Sequence, residues 1–103
     1  MEWIEIIILR AAGSAEQPLD YLRQILKSLM EPGLMKADLL KHAAIPGDIA
    51  LALRWQKENL RIWGSELAQQ IIHEISIFGL IDHSIWIIDP ITTKKNDNTL
   101  QPL

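Results

Sequence analysis

Apolar residues run through this chain in two rhythms. Three stretches, Ile4 to Leu9, Ile49 to Leu53 and Ile85 to Ile88, are apolar runs, broken only by Glu5 in the first, where a strand with one wet face alternates apolar with polar. Two others repeat at helical steps. After Arg10-Ala11-Ala12-Gly13 ends the first strand, Ser14 is expected to open a helix, with Gln17 three residues on completing a capping-box pattern. Leu19, Leu22, Leu26, Leu29 and Met30, with Ile25 beside them, then recur every three or four residues opposite Asp20, Arg23, Gln24 and Lys27. Glu31-Pro32-Gly33 is expected to stop this helix, because proline cannot continue the ladder and glycine supplies a left-handed residue. The second stripe, Leu67, Ile71, Ile75 and Phe78, is flanked by Ala68 and Ile72, with Ser65 as N-cap and Gly79 as its end.

Between the helices lie a weaker strand, Leu34 to His42, the turn signal Ile45-Pro46-Gly47-Asp48 and a strongly apolar arm, Ile49 to Trp55, which together predict a hairpin. A short helical turn is expected over Lys57 to Ile62. Leu80 to Ser84 lead into the last strand, which Asp89-Pro90 terminates. The order strand, helix, strand, strand, helix, strand predicts an α+β, ferredoxin-like βαββαβ domain, with both helices on one face of a four-stranded antiparallel sheet. Residues 1–90 form this one domain, and residues 91–103 read as a flexible C-terminal tail or a dimer-contacting arm.

Two helices cover only one face of such a sheet. In the first strand Ile4, Ile6 and Ile8 point one way and Trp3, Ile7 and Leu9 the other, so both faces carry large apolar side chains. Each contributes about 1.5 to 3 kcal/mol when fully buried, and a wet face would be an exposed apolar patch. Pairing two sheets face to face about a twofold axis removes the patch. The expectation is a homodimer through the sheet face, closing a dimeric α+β barrel; a monomer whose tail crosses the sheet is the alternative.

Composition narrows the function classes. Of 103 residues 49% are apolar and 22% charged, as in an ordinary globular domain. A formal charge of -3 with scattered lysines and arginines argues against nucleic-acid binding. The chain has no cysteine, which excludes disulfides and thiolate chemistry and suits a reducing, cytoplasmic setting. His42, His73 and His83 lack metal-site spacing, so no metal is expected. The first apolar run is too short to span a bilayer and carries Glu2 and Glu5 where a signal peptide would be basic.

Pro32-Gly33-Leu34, the strand ending Leu53-Arg54-Trp55, the segment Lys57 to Trp63, the small pair Gly64-Ser65 and the helix Glu66 to Phe78 together resemble the antibiotic biosynthesis monooxygenase family of dimeric α+β barrels. The resemblance covers roughly residues 2 to 90 and is one of pattern. It implies chemistry on electron-rich aromatic or quinone-like substrates, without metal or organic cofactor, in a cavity between sheet and helices. Some aromatic-polyketide oxygenases place an Asn and a Trp four residues apart in that cavity, and Asn59 and Trp63 repeat the spacing. Such a pair shares one helical face; the amide would hydrogen-bond a carbonyl or oxyanion, and the indole would stack or donate its N–H. Trp63 as a core anchor, with Asn59 at the surface, is the structural alternative. Many family members have a His near Trp63, and the Tyr of some is replaced by Gln69.

A second resemblance, to the haem-degrading branch, rests on Trp63 and His73, ten residues apart. At about 100° per residue, His73 falls away from the buried stripe, among Glu66, Gln69 and Ser76. The first strand also lacks the Asn of that branch. His42 and His83 read as strand-edge residues, and Arg10 and Arg54 as solvated cations. The function read here is a cofactor-independent monooxygenase or related isomerase; the alternative is a non-catalytic homodimeric ligand-binding or assembly module.

Overall fold

The computed structural model describes residues 1–56, 60–89 and 91. Strand β1 (Glu2–Ala11) is followed by helix α1 (Glu16–Lys27), strands β2 (Leu34–Lys41) and β3 (Asp48–Gln56), helix α2 (Glu66–Ile75), a single 3-10 turn (Ser76–Phe78) and strand β4 (Gly79–Ile87). The sheet runs β2-β3-β1-β4, and every neighbouring pair is antiparallel. This is the expected ferredoxin-like order, with the first strand at the centre.

The register assigns the two faces. Trp3, Glu5, Ile7 and Leu9 of β1 are buried, as are Ile49, Leu51, Leu53 and Trp55 of β3. With Leu19 and Leu22 of α1 and Ala68, Ile71 and Ile75 of α2 they make one core. Both helices therefore pack on the same side. The other face carries Ile4, Ile6 and Ile8, half-buried in the single chain, beside Ala52 and Ala50 of β3 and Ser84 and Trp86 of β4. The split of the first strand into two apolar faces is as the sequence predicts.

Three local expectations need correction. Helix α1 has Ala15 at its N-cap and no side-chain cap; the Ser14 hydroxyl instead accepts from the Glu16 N–H at 3.2 Å, a local turn that competes with capping. The same helix ends at Lys27, before Glu31-Pro32-Gly33. Gly33 does take a left-handed conformation, φ 86°, but in the turn into β2, where its carbonyl accepts from the Gln56 N–H. Strand β4 begins at Gly79, not near Ile85, because the chain goes directly from the 3-10 turn into pairing with Ala11 and Arg10. Ser65 caps α2 as predicted, accepting from the Ala68 N–H at 3.0 Å. Part of the turn expected over 57–62, and nearly all of the tail, lie outside the described residues.

Candidate functional site

Glu5 is a carboxylate in a row of hydrophobic side chains. Strand alternation places it between Trp3 and Ile7 on the helix side, and it is 0% exposed. An ionised group there needs partners, since leaving it unpaired would cost several kcal/mol. It has four. One oxygen accepts from the Trp55 indole N–H at 3.0 Å and the Ser65 hydroxyl at 2.7 Å. The other accepts from the Ser65 backbone N–H at 2.8 Å and faces His83 Nε2 at 2.9 Å. The carboxylate thus sits at the N-terminus of α2, where the helix dipole favours an anion. It ties together β1, β3, β4 and the start of α2.

Gly64 makes this convergence possible. Its φ is 93°, a conformation that side-chain-bearing residues rarely adopt. A Cβ there would stand 2.2 Å from a Glu5 carboxylate oxygen and 2.5 Å from the His83 ring. The loop can lie flat against the buried pair only because that position is bare.

A pocket of about 220 Å³ opens beside the cluster, between the sheet and the start of α2. Trp3, Trp55, Arg61, Gly64, Ser65, Glu66 and Leu67 line it. The two indoles form a stacked wall, with centroids 5.7 Å apart and planes 20° apart. Trp3 is 1% exposed, and its Nε1 has no hydrogen-bond partner among the described residues. Two of the Glu5 donors, Trp55 and Ser65, belong to this wall, so the carboxylate fixes the pocket's shape from behind.

Asn59 lies outside the described residues. Trp63 is 60% exposed and is not among the pocket-lining residues. It is therefore not a core anchor: its ring sits under the Arg61 guanidinium, 6.0 Å from the centroid, and its carbonyl accepts from the Gln69 side chain. His73 is exposed as predicted. His42 is a loop residue whose Nδ1 accepts from the Ala44 and Ile45 N–H groups. Arg54 pairs with Glu2 at 2.7 Å and Arg10 with Asp48 at 3.8 Å. His83 is the correction. It points inward from the middle of β4, and the pair it forms with Glu5 was missed. The parity that places Trp3 and Ile7 inside also places Glu5 there, and that signal was readable.

No family model matches the sequence, and no curated protein matches it. Solved structures do. SnoaB, a cofactor-independent oxygenase from Streptomyces nogalater, is similar in the structure of a point variant with TM-score 0.69 and 10% identity, over 90% of this chain and 98% of that one. A conserved protein from Methanosarcina mazei is similar with TM-score 0.65 and 12% identity, over 84% and 91%. A protein from Nitrosomonas europaea, named as a candidate antibiotic biosynthesis monooxygenase, is similar with TM-score 0.63 and 16% identity, over 82% and 88%. The fold is that of the antibiotic biosynthesis monooxygenases. On this antibiotic biosynthesis monooxygenase fold, the pocket of the present chain lies between sheet and helices, where the sequence resemblance implied a cavity.

Proposed function

We propose that this chain binds a small planar ligand bearing a carbonyl oxygen in the pocket beside Trp3 and Trp55, and oxidises it with molecular oxygen without a cofactor. The observation that carries the reading is the Trp3 indole N–H, buried in the pocket wall and lacking an acceptor among the described residues. A sealed donor left unpaired costs about 1 to 3 kcal/mol, and a ligand carbonyl would recover it. The stacked indoles supply a flat apolar wall of the kind aromatic rings prefer. In the reaction a ring methylene and one oxygen molecule become a ring carbonyl and water, so atoms and electrons balance without an external reductant. The overlap with a cofactor-independent oxygenase in fold supports this class.

Dithranol, an anthrone whose ring methylene is flanked by aryl rings, is a suitable probe. Its addition is expected to quench tryptophan fluorescence and to start oxygen uptake matched by quinone formation. Binding without oxygen uptake would assign a ligand-binding module instead, and absence of binding would remove the ligand site altogether. Within the same reading, Trp63 is a rim residue, and Asn59 keeps its proposed role as a hydrogen-bond partner of the ligand's oxygen. Trp63 acts by holding Arg61 over the mouth, a cation–π contact worth about 0.5 to 1 kcal/mol when exposed, so Trp63→Ala is expected to weaken probe binding several-fold.

The same proposal includes a twofold dimer through the outer sheet face. Ile4, Ile6 and Ile8 lie there beside Trp86, which is 60% exposed. Arg54, on the same face, has a buried Nε with no partner among the described residues, which an acceptor from a second copy would satisfy. Light scattering at micromolar concentration is expected to give about twice 11.7 kDa. Ile6→Arg, placed at the centre of the face, should halve that mass without unfolding the chain; a monomeric native protein would end the proposal.

A further inference from the structure

We propose that β4 pairs antiparallel with β4 of a second copy of this chain, the twofold axis passing beside His83, so that the two sheets join along this edge. The inference rests on the reading of the chain as a twofold dimer and names the seam at which the copies meet. It starts from the two edges of the sheet, β2 and β4. The β2 edge is blunted as protected edges are: a bulge interrupts its register between Leu34 and Lys36, and Lys36 and Lys41 stand exposed along it. Strand β4 keeps an unbroken register against β1, and its nine residues include no lysine and no proline. Its outward backbone groups can be assigned. Ala12 N–H donates to the Phe78 carbonyl and Ile88 N–H to the Glu2 carbonyl, so the even-numbered residues of β4 turn their N–H and C=O toward β1, and Ile81, His83 and Ile85 turn theirs away from it. Among the described residues no strand pairs with that side.

The strand is complementary to itself. Turned about His83, the run Leu80-Ile81-Asp82-His83-Ser84-Ile85-Trp86 sets Ile81 opposite the partner's Ile85, Asp82 opposite the partner's Ser84 and Leu80 opposite the partner's Trp86, apolar on apolar and polar on polar, as an isologous contact requires. Residues directly opposite share a face of the sheet. On the outer face Leu80 and Trp86 are 76% and 60% exposed and would cover each other. Ser84 Oγ accepts from the Trp86 indole N–H at 2.9 Å, which leaves the hydroxyl hydrogen to donate, and the exposed carboxylate of Asp82 is the acceptor set opposite it. On the helix side Ile81 and Ile85, packed at the margin of the core, gain cover. At the axis the two His83 backbones exchange hydrogen bonds, while each ring stays with its own Glu5 at 2.9 Å. A slip of two residues would set Asp82 against the partner's Asp82 or the partner's Trp86, so one register is favoured. Joined along β4, the two sheets curl toward each other, and Ile4, Ile6 and Ile8 of both copies meet inside.

Cross-linking reads the seam directly, because the chain has no cysteine of its own. Position 80 would lie opposite position 86 of the partner, in a pair without backbone hydrogen bonds whose Cα atoms are about 4.5 Å apart, within disulfide reach. Within one chain the same two positions are about 20 Å apart. Leu80→Cys and Trp86→Cys, co-expressed, are expected to give a covalent dimer on mild oxidation, and neither variant alone should give one. Hydrogen exchange on the native protein supplies a second reading. The Ile81, His83 and Ile85 N–H groups should exchange as slowly as the Ser84 N–H, which faces β1; exchange at the rate of an open edge would overturn the seam. A dimer by light scattering that gives no cross-link also overturns it and leaves the face-to-face dimer standing, whereas a monomer overturns both. A cross-link that forms only when the chain is cut after Asp89 overturns the pairing too, and makes the C-terminal segment the occupant of this edge.

Discussion

Glu5→Ala is expected to be among the most damaging single substitutions in this chain, costing about 3 to 5 kcal/mol of stability. The loss has little to do with charge at the surface, because the carboxylate is wholly buried. Truncation leaves the Trp55 indole N–H, both Ser65 donors and the His83 ring without their shared acceptor. For a domain of this size each kcal/mol moves Tm by about 4 to 8 °C, so thermal unfolding should begin upwards of roughly 12 °C earlier. Glu5→Gln offers a contrast. Its carbonyl can still accept from Trp55 and Ser65 Oγ, while its amide opposes the Ser65 N–H, and a loss of about 1 to 3 kcal/mol is expected. Equal losses for the alanine and glutamine variants would show that volume, not hydrogen bonding, is what Glu5 supplies.

Gly64→Ala comes next, at about 2 to 4 kcal/mol. The left-handed backbone accounts for about 1 to 2 kcal/mol of it, and the rest is steric, since the new methyl would stand 2.2 Å from the Glu5 carboxylate. The carboxylate cannot swing aside, because its hydrogen bonds to Trp55 and Ser65 fix it. A double variant separates the two terms. With Glu5 already truncated the methyl no longer meets the carboxylate, though it still meets the His83 ring at 2.5 Å, so the cost of Gly64→Ala should fall in part, and the two losses should sum to more than the double variant shows. Chemical denaturation of the four proteins measures this directly. Simple additivity would mean that Gly64 and Glu5 do not meet.

Much of the fold could be read before any coordinates. Ile4, Ile6 and Ile8 divided from Trp3, Ile7 and Leu9 because strand parity is strict, and Leu67, Ile71 and Ile75 marked the inner side of α2 because helical period is nearly so. The site was less legible. Glu5 shares the parity of its buried neighbours, but hydrophobic patterning scores a carboxylate as surface and says nothing of partners that arrive later. His83 is 78 residues from Glu5, and the register joining them depends on β4 starting at Gly79, a boundary that the apolar run at Ile85 hid. Trp63 went astray for the opposite reason. A large aromatic three residues from Leu60 reads as core, yet the turn that ends in Gly64 carries its ring outward to Arg61.

The central place of the first strand also governs how the molecule can be made. Leaving the ribosome, the chain presents this apolar strand before the neighbours it pairs with, residues 48–56 and 79–87. A nascent chain must hold an unpaired strand with two sticky faces until most of its length has emerged. Closing those long loops is slow compared with forming α1 or the β2-β3 hairpin, and an unpaired strand of this kind is open to wrong partners meanwhile. Glu5 is a charge in the middle of that segment, and before its donors are in place it keeps the strand solvated. The carboxylate that locks the finished site is thus also a gatekeeper during synthesis, which makes Glu5→Leu a variant expected to lose soluble yield beyond its loss of stability.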